Sequence, residues 1–252
     1  MNWKKVTLIT LDVILAVYVI LAMTSFNKPD EQNNLCTDVK VNIQKDVVDG
    51  FLTVNKVKMM LNQARLYPVG QPMNSINTRQ IEEMLQSNDL IENAECYKTQ
   101  TGHLCLNIKQ RIPVIRIMAE NGDDYYVDNH GLPMPHTDYS CDLVVATGKI
   151  SKKYASKWLT PLANYVLTND FWKNQIVQLN VLQDGSVEII PRVGSHIAYL
   201  GQPTDIQSKL ERLRKFYVYG LSQTGWNKYS RISVEFDNQI ICKKNRPARH
   251  HR

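Results

Sequence analysis

Residues 6–26, VTLITLDVILAVYVILAMTSF, run for twenty-one residues with one formal charge and neither proline nor glycine. As an α-helix this run would be about 31 Å long, the thickness of a bilayer's hydrocarbon core. Lys4 and Lys5 precede it, and the polar stretch Asn27-Lys28-Pro29-Asp30-Glu31-Gln32-Asn33-Asn34 follows. Positive residues on a short flank stay cytoplasmic, so the pattern predicts a cytoplasmic tail at 1–5, a transmembrane helix at 6–26 and everything later outside. A secretory apolar region is usually about 7–15 residues and ends at small residues spaced A-x-A. This run is longer, and its nearest small-residue site, Ala22-Met23-Thr24, is poor, so an uncleaved anchor is expected. Asp12 is the one charge within it. It either sits near the cytoplasmic third, wetted by headgroups, or meets a partner's membrane helix.

The net charge of +6 does not describe the body of the chain. Residues 27–242 hold 23 Lys+Arg and 23 Asp+Glu, and the excess comes from the N-terminal lysines and from Lys243, Lys244, Arg246, Arg249 and Arg252. A neutral body with a basic end argues against a nucleic-acid-binding domain. The end itself, 244–252, reads as a disordered basic tail. Cys36, Cys96, Cys105, Cys141 and Cys242 are odd in number, irregular in spacing and without a CxxC, which excludes a disulfide framework and a zinc ribbon.

After a polar linker at 27–37, Val39, Val41 and Ile43 alternate with polar residues as a half-buried strand does. Val54 to Leu66 is helical by period, with Thr53 as its N-cap, and Asn77-Thr78-Arg79-Gln80 opens a second helix. Ile91 to Lys98 and His103 to Ile112 read as strands around Thr101-Gly102, so 38–112 forms a β-α-α-β-β unit. Alternation puts Cys96 on the core face and Cys105 on the other, too far apart for a disulfide. A second, strand-rich unit spans 113–243, with helices opening at Ser151 and at Thr204-Asp205-Ile206-Gln207. Pro161 should kink or split the first of these. The last strands are Arg231 to Phe236 and Gln239 to Lys243, joined at Asp237-Asn238. Alternation puts Ile232, Val234 and Phe236 on one face. The expected class is α+β.

Catalytic patterns are missing. There is no G-x-S-x-G, H-E-x-x-H, Walker loop or dinucleotide fingerprint, and no two of the six histidines share a helix face at ligand spacing. Asp128 with His130 is the one imaginable acid–base pair, although a histidine in a turn is ordinarily just solvated. Lys209 and Arg212 read as the wet face of the last helix. Neither a metal nor a cofactor is implied.

What carries information is the order of several weak motifs. The β-α-α-β-β unit ends in Gln110-Arg111-Ile112-Pro113. Tyr125-Tyr126-Val127-Asp128-x-x-Gly131 follows, then Ile197-Ala198-Tyr199-Leu200-Gly201 before a helix holding Lys209-Leu210, and last Ile232-Ser233-Val234-Glu235-Phe236. Behind a membrane anchor, this series resembles the bacterial cell-division family FtsQ/DivIB over nearly the whole chain. The resemblance implies a POTRA domain (polypeptide-transport-associated) at 38–112 and a curved, mostly antiparallel β-domain with flanking helices at 113–243. It further implies a non-enzymatic division protein of the septum, single-pass in the inner membrane with its ectodomain in the periplasm. Its partners would be FtsB and FtsL and, through them, the synthase FtsW–FtsI. The family's cytoplasmic tail is usually longer than five residues, its common acidic position is Gln110 here, and the usual Asp of its last motif is Ser233.

By that resemblance FtsB binds at the C-terminal end by strand addition, which marks Phe236, Gln239, Ile240, Ile241 and Cys242. The same apolar residues would equally serve to close the core of the β-domain. If the Ile241 N–H faces outward, proline there should weaken capture. Two other functions stay open: a POTRA-bearing envelope adaptor, though the chain is too short to add a β-barrel, and a membrane-anchored periplasmic enzyme.

Overall fold

The structure, a computed structural model, describes residues 3–25, 34–44, 52–136 and 142–245. By their contacts the residues divide into two compact units, Met1–Gln44 with Thr53–Lys109 and Lys45–Leu52 with Gln110–Arg252. The basic tail expected at 244–252 begins later, since Lys244 lies in the last strand and Asn245 bonds to the Lys228 carbonyl; 246–252 and most of the expected linker lie outside the described residues.

The first unit opens with α1 (Trp3–Ser25), a helix of 23 residues. Its described side chains are exposed except for half-buried Ala22, and Asp12 is among the exposed ones. These side chains run unbroken only from 9 to 23. Among the described residues no helix is long and apolar enough to cross a membrane.

Next come β1 (Asp38–Gln44), α2 (Val54–Gln63), α3 (Thr78–Gln86), β2 (Ile91–Lys98) and β3 (His103–Gln110), with a single 3-10 turn before α3. Thr53 caps α2 by accepting from the Lys56 N–H, and Asn77 caps α3 by accepting from that of Gln80. The sheet order is β1-β3-β2, and β1 runs parallel to β3. Leu104, Leu106 and Ile108 on β3 are fully buried, together with Val57, Leu61, Ile81 and Leu85 from the helices. Cys96 is buried, Cys105 is partly exposed on the opposite face, and both thiols are free.

The second unit contains β4 (Pro113–Ala119), β5 (Asp124–Asp128), β6 (Pro133–Pro135), β7 (Val144–Gly148), α4 (Lys152–Tyr154), α5 (Thr160–Thr168), α6 (Asp170–Gln175), β8 (Ile176–Val181), β9 (Val187–Pro191) and β10 (Ile197–Gly201). It ends with α7 (Ile206–Lys215), α8 (Ser222–Thr224), β11 (Tyr229–Ser233) and β12 (Ile241–Lys244). The nine strands form one sheet in the order β12-β11-β10-β9-β8-β7-β4-β5-β6. It is mixed: β4–β7, β7–β8 and β10–β11 pair in parallel, and the remaining neighbours are antiparallel. The parallel pairs β7–β8 and β10–β11 arise because helical crossovers return the chain in its original direction.

Pro161 neither splits nor simply kinks its helix. A π turn at Ala155–Leu159 precedes α5, and the Thr160 N–H reaches back to the Ala155 carbonyl. The wider turn accommodates a proline that has no N–H to give. The cap of α7 also differs from the expected box. Asp205, not Thr204, is the N-cap; it is left-handed at φ 51° and makes no side-chain cap bond.

Helices α5, α6 and α7 and the π turn Phe216–Leu221 contribute to a core with the sheet, in which Trp172 and Tyr217 are the largest fully buried side chains. His196 is buried there at 2% exposure. Its Nε2 lies 2.7 Å from the Tyr217 hydroxyl. Burial pushes the imidazole pKa below its ordinary 6.5, and the Trp226 backbone opposes this only in part. The unfolded chain therefore takes up this proton more readily than the folded one. Stability should be complete above about pH 6.5 and decline as pH falls toward the lowered folded value. Urea titrations of the full chain at about pH 7.5 and pH 5 should show this decline, and His196→Phe should remove a measurable part of it. A variant with the parent's pH dependence would contradict the assignment.

Candidate functional site

A β-sheet ends at strands whose outer N–H and C=O groups have no ladder partner. The two sheets treat their ends differently. On β2 part of the outward backbone is taken up by α3: the Cys96 N–H donates to Glu82 Oε1 at 2.6 Å, and Gln86 Nε2 donates to the Ala94 carbonyl at 3.1 Å. β1 is the other end of this sheet, with β3 as its strand neighbour among the described residues.

In the large sheet, the Asp128 N–H donates to the Leu132 carbonyl at 3.0 Å. Alternation then makes Tyr126–Met134 the next bonded pair and turns the backbones of Pro133 and Pro135 outward. Both outward donors are thus removed by proline, and the Pro133 carbonyl accepts from Arg111 Nη2 at 3.1 Å. The β6 end is closed.

The β12 end is not. The Asn245 N–H donates inward to the Lys228 carbonyl at 3.0 Å, and the Lys243 carbonyl accepts from Ser230 Oγ at 3.2 Å. On the far side of β11, the Val234 N–H donates to Tyr199 of β10 at 2.9 Å. Even-numbered residues of β11 therefore face β10, and odd-numbered residues of β12 face β11. Ile241 and Lys243 spend their backbone groups on their own hairpin, and Cys242 and Lys244 turn theirs outward. The proline expectation for Ile241 is corrected accordingly: proline there would break the protein's own ladder, and the outward donor is that of Cys242.

The sequence-marked residues divide around this edge. Ile240 and Cys242 pack partly against the core, and burial pushes the Cys242 thiol pKa up. Ile241 is 53% exposed and Phe236 is 52% exposed. Phe236 does not share the buried face of Ile232 and Val234, because β11 ends at Ser233 and the chain leaves the ladder. Gln239 lies in the connecting segment, beside left-handed Asn238 at φ 61°.

That segment lies beside α7 residues that helical periodicity alone assigns to solvent, and one of them, Arg212, bonds it. Lys209 is only 5% exposed and donates from Nζ to the Gln202 carbonyl at 2.8 Å. Burial lowers its pKa, while Asp205 and Glu235 raise it. Arg212 donates to the carbonyls of Val234, at 3.3 Å, and Phe236, and to Asp237 Oδ1 at 3.0 Å. Gly201, left-handed at φ 71°, leaves room for the Glu235 side chain, which a Cβ would meet at 2.8 Å. An open cleft of about 610 Å³ runs between α7 and the segment, lined by Arg212, Lys215, Asp237, Asn238, Gln239 and Ile240. The signal available in the sequence was the Lys209–Arg212 spacing of three, opposite an acidic turn carrying Glu235 and Asp237.

The imagined acid–base pair proves to be architectural. Asp128 is 1% exposed in its side chain and pairs with Arg111 Nε at 2.8 Å. Its other oxygen accepts the backbone N–H groups of His130 at 3.0 Å and Leu132 at 2.7 Å, which shapes the turn at Gly131. A cavity of about 240 Å³ elsewhere in this unit is mostly apolar, with Asp142, Lys173 and Arg192 as its titratable groups. Among the described residues no group of three or more His, Cys, Asp or Glu could hold a metal ion. Arg111→Ala leaves the Asp128 carboxylate buried without its cation and should cost about 3–5 kcal/mol of stability. Chemical denaturation measures this, and a loss below about 1 kcal/mol would show that the pair is dispensable.

Residues 112–243 match the family model described as FtsQ/DivIB, C-terminal related, and residues 34–109 match that of a POTRA-like domain. No curated protein matches the chain.

Proposed function

Because this chain belongs to the FtsQ/DivIB family of cell-division proteins, we propose that it is a non-enzymatic assembly factor of the division septum that captures FtsB by adding a strand to β12. Through FtsB and FtsL it would be linked to the synthase FtsW–FtsI. The observation that supports this reading is the contrast between the ends of the large sheet: prolines close β6, while β12 presents the outward backbone of Cys242 and Lys244. Backbone pairing would supply affinity, and the exposed side chains of Phe236 and Ile241 would supply specificity. Lys243 and Lys244 discourage pairing with unspecific strands.

The anchor belongs to the same proposal. The apolar run at 6–26 has the residue count that a bilayer-spanning helix needs, and the lysines before it favour an N-terminus in the cytoplasm. The ectodomain would then work in the periplasm, close to the membrane, with Asp12 available to a partner helix or to headgroups. Catalysis has no support in the groups that could carry it. Asp128 is committed to Arg111, and burial pushes the Cys96 thiol pKa up to about 12.

Deleting 239–252 from the full chain should leave both units folded and abolish capture of the FtsB ectodomain. Cys242→Pro, which removes one outward donor and spares the β11 ladder, should weaken capture by about tenfold. Titration of FtsB against each variant measures this. Unchanged affinity in both would rule out strand addition at β12.

A further inference from the structure

We propose that Arg212 is a positioning residue for the β12 edge: from α7 it fixes the segment joining β11 to β12, and so sets the affinity of that edge for its partner. This inference rests on the strand-addition reading above.

Backbone pairing does little to hold the segment 234–240, whose ends, Val234 and Ile240, pack against the core. It lies beyond the paired residues of both flanking strands, and within it the Val234 N–H bond to Tyr199 is the only ladder-like contact. It turns through left-handed Asn238. Beyond it, β12 is four residues long and pairs with β11 alone. Its direction therefore depends on where the segment delivers it.

Arg212 supplies the missing constraint. Its side chain is 16% exposed, and α7 itself is fixed by fully buried Leu210 and Leu213. The guanidinium bonds three acceptors of this segment, the carbonyls of Val234 and Phe236 and the carboxylate of Asp237. A planar fork with several donors can hold all three at once, whereas an ammonium cannot hold them in the same geometry. Asp237 is 82% exposed, so the ion pair alone contributes little and the carbonyl bonds carry the constraint. Without the clamp, the carbonyls reach water and the fold survives. The segment must then be ordered when the partner binds, which lowers the affinity.

The test uses the full chain in detergent, with the FtsB ectodomain as probe. Arg212→Met should weaken capture by about tenfold or more with the unfolding midpoint unchanged, and Arg212→Lys should recover part of the loss. Asp237→Asn should have a much smaller effect. Amide exchange at Ile241 and Lys243 should quicken in Arg212→Met while exchange at Leu106 and Leu179 stays the same. Cys242→Pro is run alongside. If Cys242→Pro loses capture and Arg212→Met does not, the positioning role is overturned and strand addition stands. If neither loses capture, strand addition fails and this inference with it. A fall in capture that tracks a lowered unfolding midpoint, with no partial recovery by lysine, would also overturn positioning, because Arg212 would then serve only the fold.

Discussion

An open sheet has to stop somewhere, and where it stops its backbone wants partners. In this chain that constraint is answered three ways. Side chains from α3 take up part of the outward backbone of β2, prolines remove the outward donors of β6, and β12 is left with Cys242 and Lys244 turned outward. Blocking an end takes particular residues, Glu82 and Gln86 in one case and Pro133 and Pro135 in the other. Leaving β12 unblocked, with only lysines as guards, is the feature that makes it the candidate for recognition.

The motifs that mark the family are far apart in sequence and meet in two places. Arg111, from the boundary segment, neutralises Asp128 in the turn after β5, and the same arginine covers a carbonyl on the closed edge. Gly201, Lys209, Arg212 and Glu235 gather around the connection to β12. One group stabilises the end of the sheet that is shut, and the other supports the end that is open. Arg111 and Asp128 are committed to each other, and Lys209 and Arg212 donate to backbone carbonyls.

Much of this fold was legible from periodicity. The caps Thr53, Asn77 and Ser151 act as their side chains predict, and β2 begins and ends where alternation and turn residues place it. What escaped has physical causes. β6 is three residues with two prolines, a composition that argues against a strand unless the prolines face out of the ladder. α6 is six residues, too short to show a period, and is nucleated by the Asn169 side chain and its neighbours. Phe236 continues the alternation of Ile232 and Val234 in sequence, but the ladder ends before it. Lys209 and Arg212 look like solvent-facing charges because helical periodicity cannot reveal an unpaired segment lying over them. The edge itself was foreseeable from chain order, whereas which of its backbone groups face outward required the register.

Strand addition depends on the outward donors of β12, and amide hydrogen exchange reads them directly. In the free full-length protein, the N–H groups of Ile241 and Lys243 should be protected by β11, and those of Cys242 and Lys244 should exchange at nearly the rate of an open chain. On adding the FtsB ectodomain, Cys242 and Lys244 should become protected while the Glu82-capped amide of Cys96 stays as it was. Binding that leaves the Cys242 and Lys244 amides in fast exchange would contradict strand addition and place the contact elsewhere on the molecule.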